Sequence, residues 1–200
     1  MTRTIGILVF DDVEVLDFAG PYEVFTCASR VHAGLAPGSP PPFKVLTIGH
    51  QAAMLRARAG LSVFPEAAFG DDPAIDVLIV PGGVVDVELD KPDVIAWIAA
   101  MAERCELVAS VCTGALLLAQ AGLLNEKDAT THWDDIAQLR SMFPRVRVHE
   151  ERRWIDEGNI VTSGGISAGI DMSLHLVERF ASRELALRTA RQMEYDWSDA

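Results

Sequence analysis

Short, largely apolar runs constrain this chain more than any other feature. Residues 4–10 form one such run, residues 76–80 a second that ends at Pro81-Gly82-Gly83, and residues 107–111 a third. Runs of this length without polar alternation suit strands covered by helices on both faces. The segments between them have helical spacing. Pro92 opens residues 92–104, where Ile95, Ile98 and Met101 share a face, and proline is well tolerated in a first turn. Residues 113–124 are apolar almost all round, which predicts a buried helix. A helix is also predicted after Asp17, with Pro21 near its first turn, running towards Arg30. Residues 43–48 read as a strand, 55–63 as extended and 34–42 as a proline-rich loop. Further on, 134–143 reads as helix and 145–162 as two extended segments about the turn Asp156-Glu157-Gly158-Asn159. Residues 168–180 and 183–195 close the chain as helices, with Ser167 as an N-cap candidate. Strands alternating with helices imply parallel βαβ units in a doubly wound α/β sheet. No linker or repeat divides the chain, so residues 1–200 are expected to form one domain.

Charge and cysteine usage narrow the function. The 17 basic residues face 29 acidic ones, a net charge of −12, which disfavours nucleic acid as a partner because phosphate binding needs a basic surface. No apolar run reaches the roughly 18–20 residues that span a bilayer, so no membrane association is expected. The three cysteines, Cys27, Cys105 and Cys112, contain no CxxC pair. Neither a disulfide framework nor a cysteine zinc site is expected, and reducing, cytoplasmic surroundings are. The histidines lack HExxH spacing, and no GxGxxG is present. Gly164 and Gly169 have P-loop spacing but are followed by Ile170-Asp171. Neither a metal nor a cofactor is therefore expected.

Cys112 carries the chemical signal. The stretch Ser110-Val111-Cys112-Thr113-Gly114-Ala115 puts it where a buried strand meets a helix, at the carboxyl edge where open α/β sheets form ligand crevices. A helix N-terminus favours thiolate, so a lowered pKa is expected there. A tight turn with small neighbours exposes a nucleophile as the serine elbow of hydrolases does. Cys27 lies within a helical pattern and Cys105 at a helix end, where cysteine is an ordinary buried hydrophobe. Gly82 and Gly83 offer backbone N–H groups for an oxyanion hole. Asp17, set among Val13, Val15, Leu16 and Phe18, is either an acid/base partner or a helix cap. His132 reads as a pocket wall, Trp133 as core with a possible substrate contact, and His175 as packing.

Together these residues resemble the ThiJ/PfpI superfamily. The resemblance rests on Leu16-Asp17-Phe18-Ala19-Gly20-Pro21-Tyr22-Glu23-Val24, Val80-Pro81-Gly82-Gly83, the Cys112 stretch, Ala129-Thr130-Thr131-His132-Trp133, and residues 162–171. It implies a flavodoxin-like fold with a nucleophile elbow and, within the superfamily, the isonitrile hydratase branch. On that likeness Cys112 is the nucleophile, Asp17 its acid/base partner, Thr113 a neighbour needed for activity, and the protein a homodimer. PfpI-type relatives place histidine after the cysteine; Thr113 stands there instead, which removes a Cys-His pair. The expected substrate is a small neutral electrophile in a mostly hydrophobic pocket. The same core occurs in the ligand-binding half of AraC-type regulators, so a small-molecule or redox sensor is the competing expectation. No helix-turn-helix segment is seen after Tyr195, which favours a stand-alone domain.

Overall fold

The computed structural model describes residues 1–198. The chain begins with β1 (Arg3–Leu8), α1 (Val15–Leu35) and β2 (Phe43–Gly49). A small ribbon of β3 (Leu55–Arg56) and β4 (Ser62–Val63) precedes β5 (Ala67–Ala68) and β6 (Val77–Val80). Next come α2 (Asp86–Leu89), α3 (Pro92–Arg104), β7 (Leu107–Val111) and α4 (Gly114–Gln120). β8 (Asp128–Ala129), α5 (Ile136–Met142), β9 (Arg147–Val148), β10 (Trp154–Asp156) and β11 (Ile160–Ser163) follow, and α6 (Ala168–Phe180) and α7 (Arg183–Gln192) end the order.

The central sheet runs β10-β11-β7-β6-β1-β2-β5. Every neighbouring pair in it is parallel except β10 with β11. The apolar runs became the interior strands, as their lack of alternation predicts: all of β6 and β7 is buried. Ile5, Ile7, Val77, Leu78, Ile79 and Leu107 are fully buried and fill the centre. The chain leaves β1 towards β2 on one side and returns to β6 on the other. The sheet therefore has its switch point between β1 and β6, and a crevice opens at the carboxyl ends there. Among the described residues no helix is long and apolar enough to cross a membrane.

Several boundaries differ from the sequence expectation. α1 begins at Val15, not after Asp17, so Asp17 lies inside its first turn and Pro21 in its interior. Burial of Phe18, Gly20, Pro21 and Val24 outweighs the backbone bond that proline removes. α4 stops at Gln120 instead of Leu124, because the chain turns through Gly122 at φ 77°. The stretch 55–63 is a ribbon broken by a tight turn with Ala59 at φ 59°. Two-residue strands such as β5 and β8 escape sequence reading because so short a segment has no period.

Candidate active site

Cys112 stands between β7 and α4 with φ 57°. A non-glycine residue rarely holds this left-handed conformation, which costs about 1–3 kcal/mol and persists only where its surroundings impose it. Here they do. The Cys112 N–H is shared between the carbonyls of Ser163 and Gly164, each at 3.2 Å. Its carbonyl accepts from Thr131 Oγ1 at 2.8 Å and from the Ala115 N–H at 3.3 Å. Gly114 lets α4 start this close to β6: a Cβ there would lie 2.1 Å from the Val80 carbonyl oxygen.

Asp17 is 0% exposed. Its Oδ2 accepts the Gly82 N–H at 3.1 Å, whereas Oδ1 has no hydrogen-bond partner. The carboxyl interacts with the Cys112 thiol and the Ile166 N–H. Asp17 is not a helix cap; that position belongs to Glu14, whose side chain makes no cap bond. Burial pushes the carboxyl up to about 7, with the Gly82 N–H working against it. Burial also pushes the Cys112 thiol up to about 12, and the neighbouring Asp17 charge adds to the rise. This reverses the lowered thiol pKa expected at a helix N-terminus. The Thr113 N–H does favour the thiolate, but desolvation and an adjacent carboxylate outweigh it. The two groups interact, so a proton gained or lost by one shifts the other.

The backbone groups of Gly82 and Gly83 are placed differently from the oxyanion-hole expectation. The Gly82 N–H is engaged by Asp17, and the Gly83 N–H donates to Thr113 Oγ1 at 2.9 Å. Thr113 in turn donates to the Gly83 carbonyl at 3.0 Å. These bonds tie Asp17 and the residue after Cys112 to the end of β6. The donor aimed at the sulfur is instead the Thr113 N–H.

Cys112, 7% exposed, opens onto a cavity of about 270 Å³. The lining was expected to be mostly hydrophobic, and it is not. Val84 and Ile166 are its aliphatic members, beside the charged residues Glu14, Arg58, Asp86, Asp134 and Asp135, and His132. These walls come from loops and helix starts at the sheet edge, where surface segments carry polar side chains. His132 is a wall residue, as expected; its Nδ1 meets Asp135 Oδ2 at 3.2 Å, and it packs on Gly165 so closely that a Cβ there would fall 2.0 Å from its ring. Trp133, read as core, is 78% exposed. Ser167 holds the N-cap position of α6, as expected, but its side chain makes no cap bond; its Oγ accepts from Arg153 at 3.4 Å. His175 lies away from this cavity, stacked on Trp154 with its Nε2 2.8 Å from Asp156 Oδ2.

Two contributors had no assigned role in the sequence. Thr131 holds the Cys112 carbonyl, and Ile166, at φ 54°, points its N–H to Asp17. Both sit in stretches that carry the family resemblance, which was the available signal.

Comparison with known proteins places the chain in a family. The DJ-1/PfpI family profile matches residues 3–179. An isonitrile hydratase from Pseudomonas putida is 34% identical over 197 residues, covering 98% of this chain and 79% of that protein. The HTH-type transcriptional regulator GbdR of Pseudomonas aeruginosa is 29% identical over 97% of this chain, which spans about half (51%) of the regulator's length. A solved THiJ/PfpI family protein from Pseudomonas syringae superposes with a TM-score of 0.85 at 28% identity, over 99% of this chain and 77% of that one. Drosophila melanogaster DJ-1beta shares the fold, with a TM-score of 0.82 at 17% identity over 98% of this chain and all of its own. With a family profile that spans most of its length, the chain belongs to the DJ-1/PfpI family.

Proposed function

We propose that this protein hydrates isonitriles to N-substituted formamides without a cofactor. One observation carries the reading: a buried carboxyl poised near neutrality beside a buried thiol at the sheet's switch point. The similarity to the Pseudomonas putida isonitrile hydratase supports it.

In this scheme the Asp17 carboxylate takes the Cys112 proton as sulfur attacks the terminal carbon of R–N≡C. Asp17 returns that proton to the same carbon, giving the thioimidate R–N=CH–S–Cys112. Asp17, again a carboxylate, removes a proton from water; the hydroxide adds to carbon and the proton goes to nitrogen. Collapse of R–NH–CH(OH)–S–Cys112 breaks the C–S bond and releases R–NH–CHO. The hydroxyl proton passes through Asp17 back to sulfur. A pKa near 7 suits a group that must accept and donate in turn. Thr113 orients the elbow through Gly83, and its N–H steadies the developing thiolate. A homodimer in the cytoplasm belongs to the same reading.

The test is incubation of the purified chain with a simple isonitrile and detection of formamide. Formamide from wild type and none from Cys112→Ala supports the proposal; none from wild type sinks it. A second reading, a small-molecule sensor, is favoured by the likeness to the regulator GbdR. Thermal stabilisation by a small molecule that the protein leaves unchanged would support that one.

A further inference from the structure

The cavity over Cys112 has a charge pattern that hydration of a neutral isonitrile does not use. Arg58 Nη1 lies 3.3 Å from Glu14 Oε2, and His132 is occupied by Asp135. Asp86 and Asp134 line the same cavity, and among the described residues neither carboxylate has an ion-pair partner. Behind the sulfur sits Asp17, fully buried with Oδ1 unpartnered. The Arg58 guanidinium is thus matched, whereas two wall carboxylates and one buried carboxyl oxygen are not.

We propose that this cavity selects electrophiles bearing a positive charge close to the reacting carbon, an ammonium or quaternary ammonium substituent, over neutral or anionic ones of equal size. The inference rests on Cys112 being the reacting group and names the substrate class for it. Taken as a sphere, about 270 Å³ is about 8 Å across, close to the Debye length of about 8 Å at physiological salt. A charged substituent inside it therefore feels the wall carboxylates before salt screens them. The charge also bears on reactivity. Asp17 and Asp135 both oppose ionisation of the Cys112 thiol. A cation beside the sulfur offsets that repulsion, so the substrate itself favours the thiolate that attacks it. A neutral substituent leaves the thiolate opposed, and an anionic one adds to the opposition.

The test has two arms, both on the full chain. The first measures alkylation of Cys112 by 2-bromoethylammonium, iodoacetamide and iodoacetate, each rate divided by that of free cysteine with the same reagent. Modification is read at Cys112 by mass spectrometry. At low salt the normalised cation-to-anion preference should be about tenfold or more. It should fall several-fold in the Asp86→Asn/Asp134→Asn double variant and in molar salt. A preference equal to that of free cysteine, or one unmoved by the double variant, overturns the proposal. The second arm compares turnover of matched isonitriles ending in trimethylammonium, tert-butyl and carboxylate groups. A leading tert-butyl or carboxylate compound also overturns it. If no isonitrile yields formamide the hydration reading fails, and the alkylation arm still decides the charge selection.

Discussion

Two cysteines flank the same strand and make a natural pair. Cys105 stands before β7 at its amino end, in extended backbone at the end of α3, with its Sγ donating to the Ile75 carbonyl at 3.5 Å. Cys112 stands at the carboxyl end with left-handed φ, facing Asp17. Burial raises both thiols, to about 11 and about 12. By desolvation alone they are alike, and neither is an activated thiolate at rest. What separates them is the neighbour. Cys105 meets a carbonyl that cannot take its proton, and Cys112 meets a carboxyl whose pKa lies near 7. A buried cysteine becomes a candidate nucleophile through a proton acceptor at the same depth, not through its own pKa.

The sharpest way to break this comparison is to remove each sulfur in turn. Cys112→Ala should abolish formamide production, while Cys105→Ala should keep turnover within about twofold, because that thiol is an ordinary buried hydrophobe. Equal losses would end the distinction. Next in size, Asp17→Asn should lower kcat by about 10²- to 10⁴-fold, the usual worth of acid/base help. The same change removes the charge that opposes ionisation, so the Cys112 thiol pKa should fall, as read by thiolate absorbance against pH. A variant more readily ionised yet slower would isolate proton transfer as the missing function; unchanged kcat would refute the pairing.

The pH dependence follows from the direction of the Asp17 shift. Its carboxyl is raised from 3.8 to about 7, so its favourable contribution to folding is complete below about pH 4 and is lost as pH rises through about 7. Asp17→Asn should therefore be more stable than wild type at pH 8 by about 2–4 kcal/mol, with the gain vanishing near pH 4. Thermal melts at the two pH values check this; equal gains at both would contradict it. Turnover, which needs the carboxylate to accept the proton, should rise through the same window. The smallest effect concerns the backbone of the elbow. Thr131→Val leaves the Cys112 carbonyl with its longer bond to Ala115, and should cost about 1–3 kcal/mol of stability. Thr131→Ser should restore most of it, whereas a valine variant as stable as wild type would show that the bond carries little.

The interior strands were legible because burial on both faces leaves a continuous apolar run, as in residues 76–80 and 107–111. The place of Cys112 was legible for the same reason, since a run that ends beside a helix start marks the sheet edge. Asp17 was legible as a carboxylate in an apolar window, yet its role stayed open between cap and acid/base partner. Only the start of α1 at Val15 and the reach to Gly82 decided against the cap. The polar cavity was invisible. Glu14, Arg58, Asp86 and Asp134 come from separate loops, turns and helix starts, and nothing local to any of them shows that they share a wall.

By itself, then, the sequence determined the layered α/β architecture and put a cysteine at the carboxyl edge, because apolar periodicity and turn residues act locally. The tertiary structure alone decided the sign of the thiol's pKa shift and the charge of its cavity. Local position beside a helix start argued for a lowered pKa. Desolvation and the approach of Asp17 across the sheet raised it instead, since both depend on what surrounds the sulfur in space.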